Sequence, residues 1–268
     1  MDNKISLKDI ECFVFDMDGT LYSGELLFDG VKELFRYFIE KQIKFYFLTN
    51  NSSKTGQEYL NKLIRLGIHN VNVKQIITSG DITINYLKKY GYKKVCLVGT
   101  RELENQFIYA GFKLVKKKFQ QVDCVVVGFD TSFDYYKGDV ASFYVRKGAP
   151  FYATNEDLVC PIENGEFIPD CGAVTSFIEK ASGSVARYLG KPSSETYEYL
   201  VNFTKVSKEK LAIVGDRLYT DLAIGIKHDF CSIGVLSGEL KMEDLKSSVI
   251  KPLFIFDNIE ALYKALVK

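Results

Sequence analysis

Cys12-Phe13-Val14-Phe15-Asp16-Met17-Asp18-Gly19-Thr20 runs from large apolar residues straight into two carboxylates, then Gly and Thr. The apolar run reads as a fully buried strand, and packing gives it no reason to stop on Asp16 and Asp18. In a parallel sheet the carboxyl ends of the strands border the crevice where ligands bind, so both side chains are expected to project into a site. Two carboxylates that close repel each other unless a cation or a proton accompanies them. Taken alone, Asp-x-Asp-Gly-Thr also reads as a turn in which Asp16 caps the next helix, so the rest of the chain has to decide.

Three more polar clusters follow at compatible places. After a loop or small hairpin over 21–30, Val31, Leu34, Phe35, Phe38 and Ile39 give one apolar face to a helix over 31–41. A second strand, 43–48, stops on Thr49-Asn50-Asn51-Ser52-Ser53, and a helix through Tyr59, Leu60, Leu63, Ile64 and Leu66 ends at Gly67. Far downstream come Leu189-Gly190-Lys191-Pro192 and a strand over 211–214 that ends in Gly215-Asp216-Arg217-Leu218-Tyr219-Thr220-Asp221. Short links between alternating strands and helices predict right-handed parallel α/β units. Asp16 to Thr49 is 33 residues and Lys191 to Asp216 is 25, each the length of one strand-helix-strand step, whereas Thr49 to Lys191 is 142. A domain is therefore expected between two neighbours of one sheet. The fold class is α/β, with a Rossmann-like parallel sheet core, helices on both faces, in 1–80 and 186–268, and a smaller α/β domain inserted over 81–185. Within the insert, helices are predicted over 81–90, 101–110, 135–145 and 172–182. The last third should carry helices over 193–203 and 221–227 and strands over 230–236 and 252–256.

Composition excludes several classes. With 35 Lys and Arg against 34 Asp and Glu the formal charge is +1, which gives no electrostatic case for a nucleic-acid polymer or an acidic membrane surface. The first ten residues lack the apolar stretch of a signal peptide and no window approaches a membrane span, so the expectation is a soluble, cytoplasmic protein. Six cysteines form no Cys-x-x-Cys pair and are expected as free thiols. With only His69 and His228 present, an imidazole-rich zinc site is disfavoured, and any metal should be held by oxygen.

In order, Asp16-x-Asp18-Gly-Thr, Thr49-Asn50-Asn51, Gly190-Lys191-Pro192 and Gly215-Asp216-Arg217-Leu-Tyr-Thr-Asp221 resemble the four motifs of the haloacid dehalogenase superfamily. The whole chain is similar to its NagD-like, or 4-nitrophenylphosphatase-like, branch, which carries a large α/β cap between the second and third motifs. The resemblance implies a Mg²⁺-dependent phosphatase acting on small phosphate monoesters through a phosphoaspartate at Asp16. It implies metal ligation by the side chains of Asp16 and Asp216 and the backbone carbonyl of Asp18, with Asp221 acting through water or by orienting Arg217. Asp18 would be the general acid and base. The Thr49 hydroxyl and the amides of Asn50 and Asn51 would hold phosphoryl oxygens, and Lys191 would neutralise the charge on nucleophile and phosphate; alone, Lys191 is an ordinary turn lysine. A carboxylate at Asp18 disfavours a dehalogenase or an ion-pumping ATPase, and the short gap from Asp16 to Thr49 disfavours a phosphomutase.

Thr154-Asn155-x-Asp157 and Pro169-Asp170-Cys171-Gly172 match cap patterns of that branch. Asn155, Asp157 and the turn at 170–172 are expected to face the substrate, with helix capping and turn formation as the equal alternative. Expected substrates are nucleotides, sugar phosphates or similar esters, with 4-nitrophenyl phosphate as a surrogate, and the cap would allow a homodimer. A reading of another class, a non-catalytic protein that binds phosphometabolites or partners on the same fold, is disfavoured because a mere binder of phosphate dianions gains nothing from Asp18.

Overall fold

The computed structural model describes residues 5–162 and 166–268; Met1–Lys4, read above as part of a non-signal N-terminus, lies outside them. In chain order it contains β1 (Cys12–Phe15), β2 (Tyr22–Ser23), β3 (Leu26–Leu27), α1 (Val31–Lys41), β4 (Lys44–Thr49), α2 (Gly56–Arg65) and β5 (Ile76–Thr78). Next come α3 (Ser79–Lys89), β6 (Lys94–Val98), α4 (Arg101–Tyr109), β7 (Lys113–Leu114), β8 (Cys124–Val127), α5 (Tyr135–Arg146) and β9 (Phe151–Ala153). A hairpin of β10 (Val159–Pro161) and β11 (Phe167–Pro169), α6 (Cys171–Ser182) and β12 (Arg187–Tyr188) follow. The chain closes with α7 (Ser194–Thr204), β13 (Leu211–Gly215), α8 (Ala223–Lys227), β14 (Cys231–Val235), α9 (Met242–Ser247), β15 (Phe254–Phe256) and α10 (Ile259–Leu266).

The chain divides into two compact units. The first comprises Met1–Thr49, Gly56–Ile77 and Tyr197–Lys268, and the second Asn50–Thr55 and Thr78–Thr196. In the first, six strands are ordered β15-β14-β13-β1-β4-β5, and β1 runs parallel to both β13 and β4. Phe15 stands opposite Val214 on one side and Phe47 on the other. Asp16, Gly215-Asp216 and Leu48-Thr49 thus leave the sheet at the same edge. All four residues of β1 are buried, as a central parallel strand covered on both faces requires. Phe13 and Phe15 pack with Phe35 and Phe38 of α1, whose Val31, Leu34, Phe35 and Phe38 form the buried stripe. Gly30 opens that helix at φ 80°, where a Cβ would run into the Glu260 backbone.

The second unit holds its own sheet, β12-β9-β8-β6-β7, with parallel ladders throughout. The second unit also includes 50–55, 78–80 and 186–196, three stretches that the sequence reading sets with the flanking core. Residues 187–188 form its last strand beside β9. Residues 50–55 are tied in by side chains: Ser52 Oγ accepts the Phe129 N–H at 2.9 Å, and Thr100 Oγ1 donates to the Ser53 carbonyl at 3.0 Å. Neither tie follows any periodicity. α3 starts two residues earlier than the apolar pattern implies because Thr78 and Asp81 form a capping box.

Among the described residues no helix is long and apolar enough to cross a membrane. The six cysteines are free thiols; five are buried and Cys160 is half-buried. Burial pushes the thiols of Cys12, Cys96 and Cys231 up to about 12 and that of Cys171 up to about 11.

Phe38 is fully buried, with ring centroids 4.9 Å from Phe13 and 5.9 Å from Phe15. Phe38→Ala should therefore lower stability by about 3–5 kcal/mol, read from denaturant unfolding. Tyr109→Ala, at a side chain 90% exposed, should stay within about 0.5 kcal/mol of the parent.

Candidate active site

The first unit brings three carboxylates together. Asp16 follows β1, Asp216 follows β13, and Asp221 sits in a π-helical turn over Leu218–Leu222 that replaces the regular start expected for the helix at 221. One oxygen from each of the three lies within 4.8 Å of the others, and Asp216 and Asp221 are almost completely buried. Asp216 is gripped on both oxygens: Thr20 Oγ1 donates to Oδ1 at 2.9 Å and the Glu239 N–H to Oδ2 at 2.8 Å. Two glycines make room for it. A Cβ at Gly19, where φ is +83°, or at Gly238 would run into the Asp216 carboxylate. Ser237 Oγ donates to the Gly19 carbonyl at 2.9 Å, so the loops after β1 and β14 are fastened to each other around this side chain. Asp221 Oδ2 accepts the Arg217 N–H at 3.2 Å, and Gly215 leaves the space that the Asp221 side chain fills.

Burial, and then the charge of Asp221, push the Asp216 carboxyl from 3.8 up to about 6. Crowded, buried anions with no donor but oxygen fit a hard divalent cation, which prefers oxygen ligands and offsets their repulsion. The cluster could hold a metal.

Asp18 lies two residues from Asp16, yet its carboxylate is engaged elsewhere. Its Oδ2 accepts a long hydrogen bond from the Tyr22 hydroxyl at 3.3 Å, and its Oδ1 is 3.5 Å from Lys62 Nζ. Lys62 Nζ also sits 3.8 Å from the centroid of the Tyr22 ring. Burial and the nearby carboxylates hold the Tyr22 phenol well above its ordinary range, so it remains a donor. The Asp18 side chain is half exposed, unlike the three clustered acids. An acid that must exchange protons with a substrate benefits from such access.

Thr49 ends β4 in the first unit and is buried. Asn50, Asn51 and Lys191 belong to the second unit. There the Asn50 side chain bonds to the main chain of Lys191 and to Asp157. Asn51 Oδ1 accepts from the N–H and hydroxyl of Ser53, forming a local turn. Asn155 and Asp157 are buried, and Asn155 Nδ2 donates to Asp157 Oδ2 at 2.9 Å and to Asp170 Oδ1 at 3.3 Å. Asp170 is the N-cap of α6, accepting the Cys171 N–H. Asp170 thus caps α6 and Asn51 closes a turn, while Asn50, Asn155 and Asp157 join one buried network within this unit.

Comparison with known proteins bears on the same residues. A family model described as haloacid dehalogenase-like hydrolase matches residues 13–113, and a second, HAD-hydrolase-like, matches 188–262. The chain belongs to this family. It is therefore a hydrolase, and several of its relatives are phosphatases by name. Acid sugar phosphatase of Staphylococcus haemolyticus is 32% identical over 98% of each chain. The crystal structure of 4-nitrophenylphosphatase from Thermotoga maritima is 37% identical, with a TM-score of 0.91 over 97% of this chain and 98% of that one. Escherichia coli NagD is 31% identical, with a TM-score of 0.86 over 94% and 97%.

Within this HAD-like hydrolase, sequence reasoning missed Tyr22, Lys62 and the loop Ser237-Gly238-Glu239. Lys62 lies on the polar side of an amphipathic helix, where a lysine carries no signal, and the loop reaches Asp216 only through space.

Gly238→Ala should weaken Mg²⁺ or Mn²⁺ binding by about 10- to 100-fold in a calorimetric titration, because the new methyl displaces Asp216, while far-ultraviolet circular dichroism stays unchanged. The pH dependence has a definite sign. A carboxyl whose folded value is raised favours the fold at low pH, and that contribution disappears as pH rises through about 6. The metal-free protein should gain Tm between pH 7 and pH 5, and Asp216→Asn should gain less. Divalent affinity should fall over the same interval, since protons compete for the ligands.

Proposed function

We propose that this HAD-like hydrolase is a Mg²⁺-dependent phosphatase of small phosphate monoesters, sugar phosphates among them, that works through a phosphoaspartate on Asp16. The observation that carries this reading is the convergence of Asp16, Asp216 and Asp221 at one sheet edge with Asp18 held apart from them. The names of the relatives support the substrate class, and 4-nitrophenyl phosphate is the natural surrogate. Bound magnesium, held by the carboxylates of Asp16 and Asp216 and the carbonyl of Asp18 with Asp221 behind a water, would supply the positive charge that lets a carboxylate approach a phosphate dianion.

In the first step an Asp16 oxygen forms a bond to phosphorus as the ester P–O bond breaks, and the carboxylic acid of Asp18 protonates the leaving oxygen. In the second, the Asp18 carboxylate takes a proton from water as that water attacks phosphorus, releasing phosphate and restoring Asp16. An acid serving both steps must not be locked as a metal ligand. Lys62 and the Tyr22 hydroxyl support that requirement by drawing the Asp18 side chain to their side. The Thr49 hydroxyl and the amides of Asn50 and Asn51 are assigned to the phosphoryl oxygens, and the Lys191 ammonium to the charge they develop. The inserted α/β domain, 81–185 by the sequence reading, is assigned to substrate choice, and a cytoplasmic setting fits such metabolites.

Asp16→Asn should lower kcat for 4-nitrophenyl phosphate by at least about 10³-fold with Tm unchanged, and acid-quenched enzyme should lose its phosphorylated species. Chelation should abolish turnover of the parent and Mg²⁺ restore it. Substantial hydrolysis by Asp16→Asn would remove Asp16 as the nucleophile.

A further inference from the structure

We propose that Asn50 is a positioning residue whose side-chain amide fixes the main chain of Lys191 through both its polar groups, and that Asp157 holds the amide in the orientation that does so. The proposal rests on the reading of Lys191 as the cation that faces the phosphoryl group. Asn50 Oδ1 accepts the Lys191 N–H at 2.9 Å, and Nδ2 donates to the Lys191 carbonyl at 3.2 Å and to Asp157 Oδ2 at 2.9 Å. The chemistry of the partners decides which end of the amide is which. Reversed, the amide would set its oxygen against a carbonyl and a carboxylate and its NH₂ against an N–H.

Asp157 is fixed in turn by Asn155, whose NH₂ it shares with Asp170 at the head of α6. Every member of this network is buried, so each bond forms away from water and each loss leaves a desolvated partner. Gly190 permits the close approach. A Cβ there would lie 2.7 Å from Asn50 Oδ1 and would run into the Thr154 carbonyl. Lysine reaches its target through four flexible methylenes, and fixing the backbone from which they start removes part of the search that would otherwise oppose charge placement. Asn50 thus has a role separate from its own backbone amide, and replacing its side chain leaves that amide in place.

Orthovanadate binding in the presence of Mg²⁺, measured by calorimetry, tests this without requiring turnover. Asn50→Ala should raise Kd about tenfold, and Lys191→Met should raise it further. The double variant should match Lys191→Met within about twofold, because a residue that acts through Lys191 has nothing left to position. An unchanged Kd for Asn50→Ala, or a penalty repeated in full in the Lys191→Met background, overturns the proposal. An unchanged Kd for Lys191→Met instead overturns the reading of Lys191 as the phosphate-facing cation.

If Asn50→Ala does not fold, Asn50→Asp keeps the shape but sets a second carboxylate against Asp157. It should weaken vanadate binding, and adding Asp157→Asn, which restores a donor opposite an acceptor, should recover at least about threefold in Kd. Absence of recovery overturns the proposal.

Discussion

Mutual repulsion among buried carboxylates is the constraint around which the first unit is built. Asp16, Asp216 and Asp221 come from two strand ends and a distorted helical turn, and in water they would separate. Here the sheet register fixes Asp16 and Asp216 on adjacent strands, glycines remove the atoms that would push Asp216 aside, and a hydroxyl and a backbone N–H bind its oxygens. Burial, and then the charge of Asp221, push the Asp216 carboxyl up to about 6. Such a cluster could hold a divalent cation, whose charge would offset the repulsion.

The placement of Asp18 follows from the same electrostatics. A fourth carboxylate in the cluster would add repulsion and lose its freedom to exchange protons. Its neighbours outside the cluster are one ammonium and one phenol that remains protonated, and it keeps access to solvent. Two acids separated by a single methionine therefore have different surroundings and different proposed work. The division is made by direction: Asp16 ends buried in the cluster, while Asp18 turns toward Tyr22 and α2.

Legibility from sequence tracked how local each interaction is. The apolar run 12–15 breaking into Asp16, and the parallel pattern around Thr49 and Asp216, were readable because strand burial and strand-end polarity are properties of consecutive residues. The stripe on α1 was readable for the same reason, and its bounds of 31–41 agree with the structure. β5 and β12 were not readable: three and two residues carry no periodicity, and β12 is defined only by its pairing with β9. Residues 50–55 read as the polar stop after a core strand, yet hydrogen bonds to residues 47 and 77 positions further along tie them into the second unit. Asn155 and Asp157 were recognisable as special, and only the structure turns their side chains toward Asn50 and Asp170.

The buried cysteines have a consequence for the chemistry. A thiol must ionise to react with peroxide, and burial keeps those of Cys12, Cys96, Cys171 and Cys231 far from ionisation at neutral pH. With a carboxylate as its proposed nucleophile and these four thiols buried, the protein should keep working under oxidative conditions that silence thiolate-dependent enzymes.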